Sequence, residues 1–375
     1  MGKTPEQKPE KKMILLSAGG TGGHVFPARA LAEELLSANY KVAVATDVRG
    51  LKYFDGLDQS VERYVIASGA YTSGLKGKIS GILALARGYL QSHGLISRLK
   101  PAAVVGFGGY PSAPPVFAAQ HRAIPTILHE QNAILGMANA LLAPNAKRLA
   151  LSASHTTGLK PEWCSKCVTT GNPVRKDISH LGTVSYPNPA IGTFYLMVVG
   201  GSQGAKCFAE IVPKAIAALP SELHHRLFVY HQTRADDLEM VKQAYEGKQF
   251  RSDVRPFFSD MADILSKAHL LITRSGASTI AELSAAGRPA IYVPFPWNRD
   301  QQQLYNAAQM EKEEAGLVVE EKTLTVESLT KTLTELIETP EKLEHMARKA
   351  HTIGIRDAAK RLEALISREI PVEKH

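Results

Sequence analysis

Hydrophobic residues in this chain come in short runs, each followed by a stretch of helical spacing, and glycine clusters stand at several of the junctions. The run Met13-Ile14-Leu15-Leu16-Ser17-Ala18 leads into Gly19-Gly20-Thr21-Gly22-Gly23, after which residues 28–36 carry apolar side chains at helical intervals. That succession predicts strand, glycine loop and helix. Apolar runs at 42–45, 103–106 and 126–128 predict further strands, and helical stretches between them imply a parallel α/β sheet. The pattern breaks around Gly171-Asn172-Pro173 and again over 186–192, which is rich in Pro, Asn and Gly, as a linker would be. A new apolar run at 194–199 then enters Gly200-Gly201-Ser202-Gln203-Gly204 and a helix, so the opening unit is repeated. Runs at 226–230, 269–273 and 289–293 continue the alternation.

The predicted fold class is therefore α/β, with two Rossmann-like domains. Ligands of open parallel sheets sit outside the carboxyl ends of the strands, so the glycine loops of both halves are expected to face an interdomain cleft. The expected divisions are 1–174 and 175–355, and the last helical stretch, within about 356–375, is a candidate to return to the first domain.

Composition narrows the class. At 375 residues the chain exceeds what one core usually organises, and 44% hydrophobic with 21% charged residues is the profile of a folded enzyme. The first twelve residues are rich in Lys, Glu and Pro and lack an apolar segment, which is no secretory signal and predicts a cytoplasmic protein. No run approaches the roughly 18 apolar residues of a membrane-spanning helix. A net charge of +8 suits nucleic acid, an anionic lipid surface or a phosphate-bearing substrate, and only motifs can choose among them. Three cysteines do not make a disulfide scaffold, and Cys164 with Cys167 form a lone C-x-x-C without the second pair of a zinc site.

The first glycine loop, between a strand and a helix, lets backbone N–H groups converge at a helix N-terminus, where partial positive charge favours phosphate. Val25 stands where a dinucleotide loop would need its third glycine, and the Lys-Ser/Thr of a P-loop is missing. Similar loops recur at Gly106-Phe107-Gly108-Gly109-Tyr110 and at Gly200 to Gly204, and three at strand ends exceed what turn geometry alone explains. His129-Glu130-Gln131-Asn132 follows a strand directly. Arg274-Ser275-Gly276-Ala277-Ser278-Thr279-Ile280-Ala281-Glu282 reads either as a ligand loop or as a helix capping box from Thr279 to Glu282. Asp300-Gln301-Gln302-Gln303, before Leu304-Tyr305-Asn306-Ala307, offers amides suited to sugar hydroxyls.

Taken together and in order, the stretches at 20–28, 106–112, 129–132, 171–175, 200–205, 274–282 and 300–307 resemble the MurG family, and the likeness covers roughly residues 12 to 310. The resemblance implies a GT-B fold and an inverting hexosyltransferase of peptidoglycan synthesis, a pathway tied to cell shape and division. UDP-N-acetylglucosamine would be the donor, lipid I the acceptor, and lipid II and UDP the products, with no cofactor and no catalytic metal. It also implies a peripheral place on the cytoplasmic membrane face, no nucleic-acid partner, and other cell-wall synthesis proteins as candidate partners. Carried over by position, Arg175 and Ser202 would lie near the donor diphosphate and the backbone around Phe258 near uracil. Glu282 would bond the ribose. Gln302 and Gln303 would hold the sugar hydroxyls, with Asn132 and His24 approaching from the first domain. Arg274 joins this substrate-binding set. The loops with Thr21, Gly22, Gly23 and Tyr110 would receive the acceptor diphosphate. Gln301 departs from the basic residue that some members carry there.

The reaction needs a base for the acceptor hydroxyl and a stabiliser for the departing diphosphate. His24, next to the first glycine loop, is the leading base candidate, since an imidazole with an ordinary pKa of about 6.5 accepts protons near neutrality. Glu130 is the rival. No D-x-D-like ligand pair sits at a strand end, so helix N-termini and Arg175 are the expected stabilisers. Over residues 75–90, Lys76, Lys78 and Arg87 flank Ile79, Ile82, Leu83, Leu85, Tyr89 and Leu90, a pattern suited to an anionic membrane surface or, failing that, to an ordinary core helix. Three other functions share the layout: a UDP-N-acetylglucosamine 2-epimerase, a nicotinamide-dependent dehydrogenase using Asp47 for ribose, and a non-catalytic sugar-nucleotide sensor.

Overall fold

The computed structural model describes residues 11–69, 75–201, 204–297 and 300–371, the side chains of 75–78 excepted. The first half holds a parallel sheet of β1 (Met13–Ser17), β2 (Lys41–Thr46), β3 (Glu62–Val65), β4 (Ala103–Gly106), β5 (Thr126–Glu130), β6 (Arg148–Leu151) and β7 (Cys167–Thr169). Their order is β3-β2-β1-β4-β5-β6-β7. The second half holds β8 (Phe194–Val199), β9 (Leu227–Gln232), β10 (Arg251–Arg255), β11 (Leu270–Thr273), β12 (Ala290–Tyr292) and β13 (Gly316–Val318), in the order β10-β9-β8-β11-β12-β13. All pairings are parallel. These are two Rossmann-like domains of GT-B type.

The unbroken apolar run of β1 has a direct cause. Side chains alternate across a sheet, and here both faces are covered: Ile14 and Leu16 join the core beneath the first helix, Gly22–Ser37, while Leu15 joins the core on the opposite face. Leu15 is paired with Ala43 on one side and Val104 on the other, and all three are fully buried. In both sheets the strand order reverses between the first strand and its neighbour, β1 beside β4 and β8 beside β11. This is where an open α/β sheet opens a crevice. It brings the glycine loops after β1 and β4 side by side, and likewise the loop after β8 and the Arg274-Ser275-Gly276 turn after β11.

The first helix begins earlier than the apolar spacing indicates. It starts at Gly22, so Gly22, Gly23 and His24 form its first turn rather than a loop preceding it. Near the other end of the chain, helix Pro340–Ile353 packs into the second domain through Leu343, Met346 and Ala350. The chain then crosses over, and helix Ala358–Glu369 lies on the first helix, with Leu362, Leu365 and Ile366 in the first domain's core. Arg148 donates to Glu369 at 2.6 Å and fastens its end. Helix Lys176–Leu181 packs with the second domain through Ile178 and Leu181. No helix among the described residues is long and apolar enough to cross a membrane. Cys164 and Cys167 are free thiols, and burial and the neighbouring sulfur raise the pKa of Cys167.

Candidate functional site

The first wall of the site is the pair of glycine loops. Gly20 turns with φ +82° and donates its N–H to Asp47 Oδ1 at 2.7 Å, and the same oxygen accepts from Gly50 at 2.9 Å. Asp47 is thus used up in holding the loop, which removes it from the ribose role a dehydrogenase would require. Gly19 has no room for a side chain, since a Cβ there would sit 2.7 Å from both Asp47 Oδ1 and Pro111 Cβ. Thr21 at the N-cap makes no side-chain cap and the first turn holds no acidic residue, so the N–H groups of Gly22 and Gly23 remain open to an anion. Gly108 and Gly109, with φ +77° and +71°, lie against the His24 ring: a Cβ on Gly109 would stand 3.4 Å from His24 Nε2. The two loops therefore converge on one imidazole. Tyr110, half-buried, opens the short turn that follows.

The polar stretch His129 to Asn132 begins within β5, whose last two residues are His129 and Glu130, and divides by the alternation of an extended chain. His129 and Gln131 turn to one side: Gln131 bonds His24 Nδ1 at 3.0 Å and His129 Nδ1 at 2.9 Å, and His129 Nε2 bonds the carbonyl of Gly171 at 3.0 Å. His129 is fully buried, and that desolvation lowers its pKa to about 4, leaving a neutral ring. Glu130 and Asn132 turn the other way. Glu130 Oε1 accepts from the backbone and amide of Asn132 at 3.0 and 3.2 Å, and Oε2 accepts from Gly136 N and Asn139 Nδ2, both at 2.9 Å. With 3% exposure and four donors, the Glu130 carboxylate organises its own loop and has no free lone pair aimed at a ligand. The geometry thus weighs against it as the base.

On the second wall, Arg175 Nε meets Glu282 Oε1 at 3.2 Å, with the side chains 37% and 21% exposed. Burial raises the pKa of Glu282, and Arg175 only partly opposes it. The capping-box alternative for Thr279 and Glu282 fails, because helix Ala277–Ala286 starts from Gly276 and has no side-chain cap. Gln303 Oε1 accepts from the backbone N–H of Ser275 at 3.2 Å and of Phe295 at 3.0 Å, which pins the turn after β11 and leaves its amide NH2 for a ligand. Gln302, half-exposed, stands beside it at the start of helix Gln302–Lys312. Phe258 is buried in the core edge-on to Tyr230, so only its backbone could serve a base.

One expectation changes. Arg274 does not reach the cleft: its guanidinium, on a side chain 8% exposed, bonds the carbonyls of Val293 and Pro294 and the carboxylate of Glu321 at 2.5 Å, between the rings of Phe208 and Phe295. It ties β11 to its neighbours. Ser202 lies outside the described residues.

The domains touch at the site. Asn132 Oδ1 accepts from Asn306 Nδ2 at 3.1 Å, Asn306 Oδ1 accepts from Ala133 N at 2.8 Å, and Ser278 Oγ donates to Gly23 O at 3.3 Å. Asn132 is thereby committed to the domain contact through its oxygen. A cavity of about 430 Å³ between the domains is lined by Gln131, Gly171 and Asn172 on one side and Ala281, Asn306 and Met310 on the other. Asn306, Gln131 and His129 carry this architecture; the sequence marked the motifs they stand in but gave none of the three a role. Strand alternation past Leu128 was the available signal, since it puts His129 with Gln131 and Glu130 with Asn132.

Comparison with known proteins agrees with this layout. Residues 14–151 match the family model of the glycosyltransferase family 28 N-terminal domain, and residues 195–362 that of the family 28 C-terminal domain. A relative from Chelativorans sp. (strain BNC1), named UDP-N-acetylglucosamine--N-acetylmuramyl-(pentapeptide) pyrophosphoryl-undecaprenol N-acetylglucosamine transferase, is 43% identical over 96% of this chain and 97% of its own. One of the same name from Paramagnetospirillum magneticum is 42% identical over 97% and 98%. The crystal structure of Acinetobacter baumannii MurG superposes with a TM-score of 0.77 at 29% identity, covering 95% of this chain and 99% of that one. A UDP-N-acetylglucosamine 2-epimerase superposes with a TM-score of 0.69 at 13% identity over 98% of both chains, a likeness of fold alone.

Proposed function

Because this chain belongs to glycosyltransferase family 28 and, within it, to the MurG family, we propose that it moves N-acetylglucosamine from UDP-N-acetylglucosamine to lipid I. The acceptor is the 4-hydroxyl of the muramyl sugar on undecaprenyl diphosphate, and the products are lipid II and UDP. The observation that carries the reading is the convergence of two glycine loops on His24, opposite a wall bearing Arg175, Glu282 and Gln303.

Each part has a task that its chemistry suits. The open N-terminus of helix Gly22–Ser37 and the Gly108-Gly109 turn receive the acceptor diphosphate, with Thr21 and Tyr110 at their rims. His24 takes the proton from the attacking hydroxyl, and inversion follows from a single in-line displacement at the anomeric carbon. On the donor side Glu282 accepts from the ribose hydroxyls, while the Arg175 contact with Glu282 uses only Nε and leaves its other nitrogens for the diphosphate. The uncapped helices Lys206–Ala217 and Ala277–Ala286, neither with an acidic residue in its first turn, add positive ends as UDP leaves. Gln302 and the free NH2 of Gln303 hold the sugar hydroxyls.

A peripheral place on the cytoplasmic membrane face fits the acceptor and the surface. On helix Leu75–Leu99, Ile79, Ile82, Leu83 and Leu90 are 51%, 56%, 65% and 70% exposed, and Phe117, Met137 and Leu141 on the next two helices of this face are exposed too. So many uncovered large apolar side chains on one domain mark an interaction face, here one that enters the headgroup region. The ordinary core-helix alternative does not account for them. Lys76 and Lys78 lie outside the described side chains, and Arg87 is exposed.

The test is transfer of labelled N-acetylglucosamine to a lipid I analogue, run with and without acceptor and in EDTA. Acceptor-dependent formation of a β-linked disaccharide, undiminished by EDTA, is the expected result. Acceptor-independent conversion of the donor to its 2-epimer would replace this reading with the epimerase.

A further inference from the structure

The hydrogen bonds around His24 form a directed chain whose far end is fixed. The carbonyl of Gly171 can only accept, so His129 Nε2, at 3.0 Å, carries the hydrogen. The ring is buried and neutral, so its Nδ1 is an acceptor. Gln131 Nε2 donates to that Nδ1 at 2.9 Å and to the carbonyl of His129 at 3.0 Å, and these two acceptors fix which end of the amide faces His129. The other end, Oε1, accordingly points at His24 Nδ1 at 3.0 Å and can only accept. We propose that His129 and Gln131 are positioning residues that hold His24 with its hydrogen on Nδ1, so that Nε2, the nitrogen beside Gly109, presents the lone pair.

This rests on the reading of His24 as the base and adds which nitrogen acts and what sets it. The chain is well anchored. Gly171 donates its own N–H to Leu151 O at 3.2 Å, and a Cβ on it would stand 2.6 Å from Ile355, in the segment that crosses back from the second domain. The His129 ring lies 5.3 Å from that of Phe107 and Gln131 is 4% exposed, and turning over either the ring or the amide would set buried groups of like polarity against each other at Gly171 O or at His129 O and Nδ1. A neutral His24 with hydrogen on Nε2 would set two lone pairs, Nδ1 and Oε1, against each other.

The experiment is a long-range ¹H–¹⁵N correlation spectrum of the full chain labelled with ¹⁵N-histidine, with His24 assigned by its loss in His24→Gln. In the wild-type protein, at a pH where His24 is neutral, Nδ1 should show a pyrrole-type shift and Nε2 a pyridine-type shift. The reverse overturns the proposal, and this arm needs no variant to fold. In Gln131→Met, whose fold is checked by its melting curve, the neutral ring should redistribute toward the Nε2–H form; an unchanged tautomer also overturns it. Turnover is read separately. A fall of about 10²-fold with little change in donor KM is expected, the low end of what a general base contributes. A redistributed tautomer with undiminished turnover would leave the relay standing and remove His24 from the role of base.

Discussion

Replacing Glu282 separates recognition from stability. Its carboxylate is partly buried, it pairs with Arg175 at 3.2 Å, and in the proposed complex it accepts from two ribose hydroxyls. Hydrogen bonds to a charged group contribute about 1.5–3 kcal/mol each, so Glu282→Ala, which loses both, should cost at least about 3 kcal/mol of donor binding. At about 1.36 kcal/mol per factor of ten, that is a donor KM raised at least roughly 150-fold. Glu282→Gln keeps one neutral acceptor and should fall between, near 10-fold. Stability should hardly move. Arg175 is 37% exposed, so the pair is screened and contributes at most about 1 kcal/mol, while losing the carboxylate also relieves its desolvation. The assays are donor KM at saturating acceptor and the melting temperature of each variant. A donor KM within twofold of wild type in Glu282→Ala would refute the ribose assignment, and a concurrent drop in melting temperature would assign the residue to the fold instead.

Other outcomes follow from the same structure. Burial raises the Glu282 pKa above its ordinary 4.5, so its charged form is disfavoured in the free enzyme, whereas ribose hydroxyls favour it. Donor KM should therefore fall as pH rises through that raised pKa and then level off, and the step should vanish in Glu282→Gln. The stability sign is opposite: this group's contribution is complete below about 4.5 and lost as pH rises through the raised value, which a denaturation series of wild type against Glu282→Gln would read. Replacing Ile82 and Leu83 with Glu should cut binding to anionic vesicles by about 10-fold per residue, at about 1.5 kcal/mol for each buried side chain, without lowering the melting temperature. Retained vesicle binding would place the membrane face elsewhere. Arg288 has no exposed surface and donates to the carbonyls of Leu265, Ser266 and Ala286, and burial lowers its pKa to about 10. Arg288→Met should cost about 3 kcal/mol or more in urea unfolding, because those carbonyls lose their partners, and a loss below about 1 kcal/mol would contradict this.

Much of this molecule is written in local pattern. β4 and β8 fall where the apolar runs at 103–106 and 194–199 placed them, because strands buried on both faces read as continuous hydrophobic runs. The glycine loops were legible for a similar reason: a close backbone turn into a helix admits little else. β3, Glu-Arg-Tyr-Val, and β10, Arg-Ser-Asp-Val-Arg, were not legible, since they are edge strands with polar exposed positions whose pairing, rather than their composition, makes them strands. In the site, sequence put His24 ahead of Glu130 as the base but kept both as candidates. Tertiary structure separated them, closing four donors on the Glu130 carboxylate and setting the His24 ring across the second glycine loop. Arg274 carries the right charge at a strand end, yet its guanidinium turns inward, because the carbonyls of Val293 and Pro294 and the carboxylate of Glu321 converge there. Residue type and spacing determine which groups can do the chemistry. Which of them are free to do it depends on partners tens to hundreds of positions away, such as Gly171 for His129 and Asn306 for Asn132, and those are brought into contact only when both sheets are assembled and the chain has crossed between them.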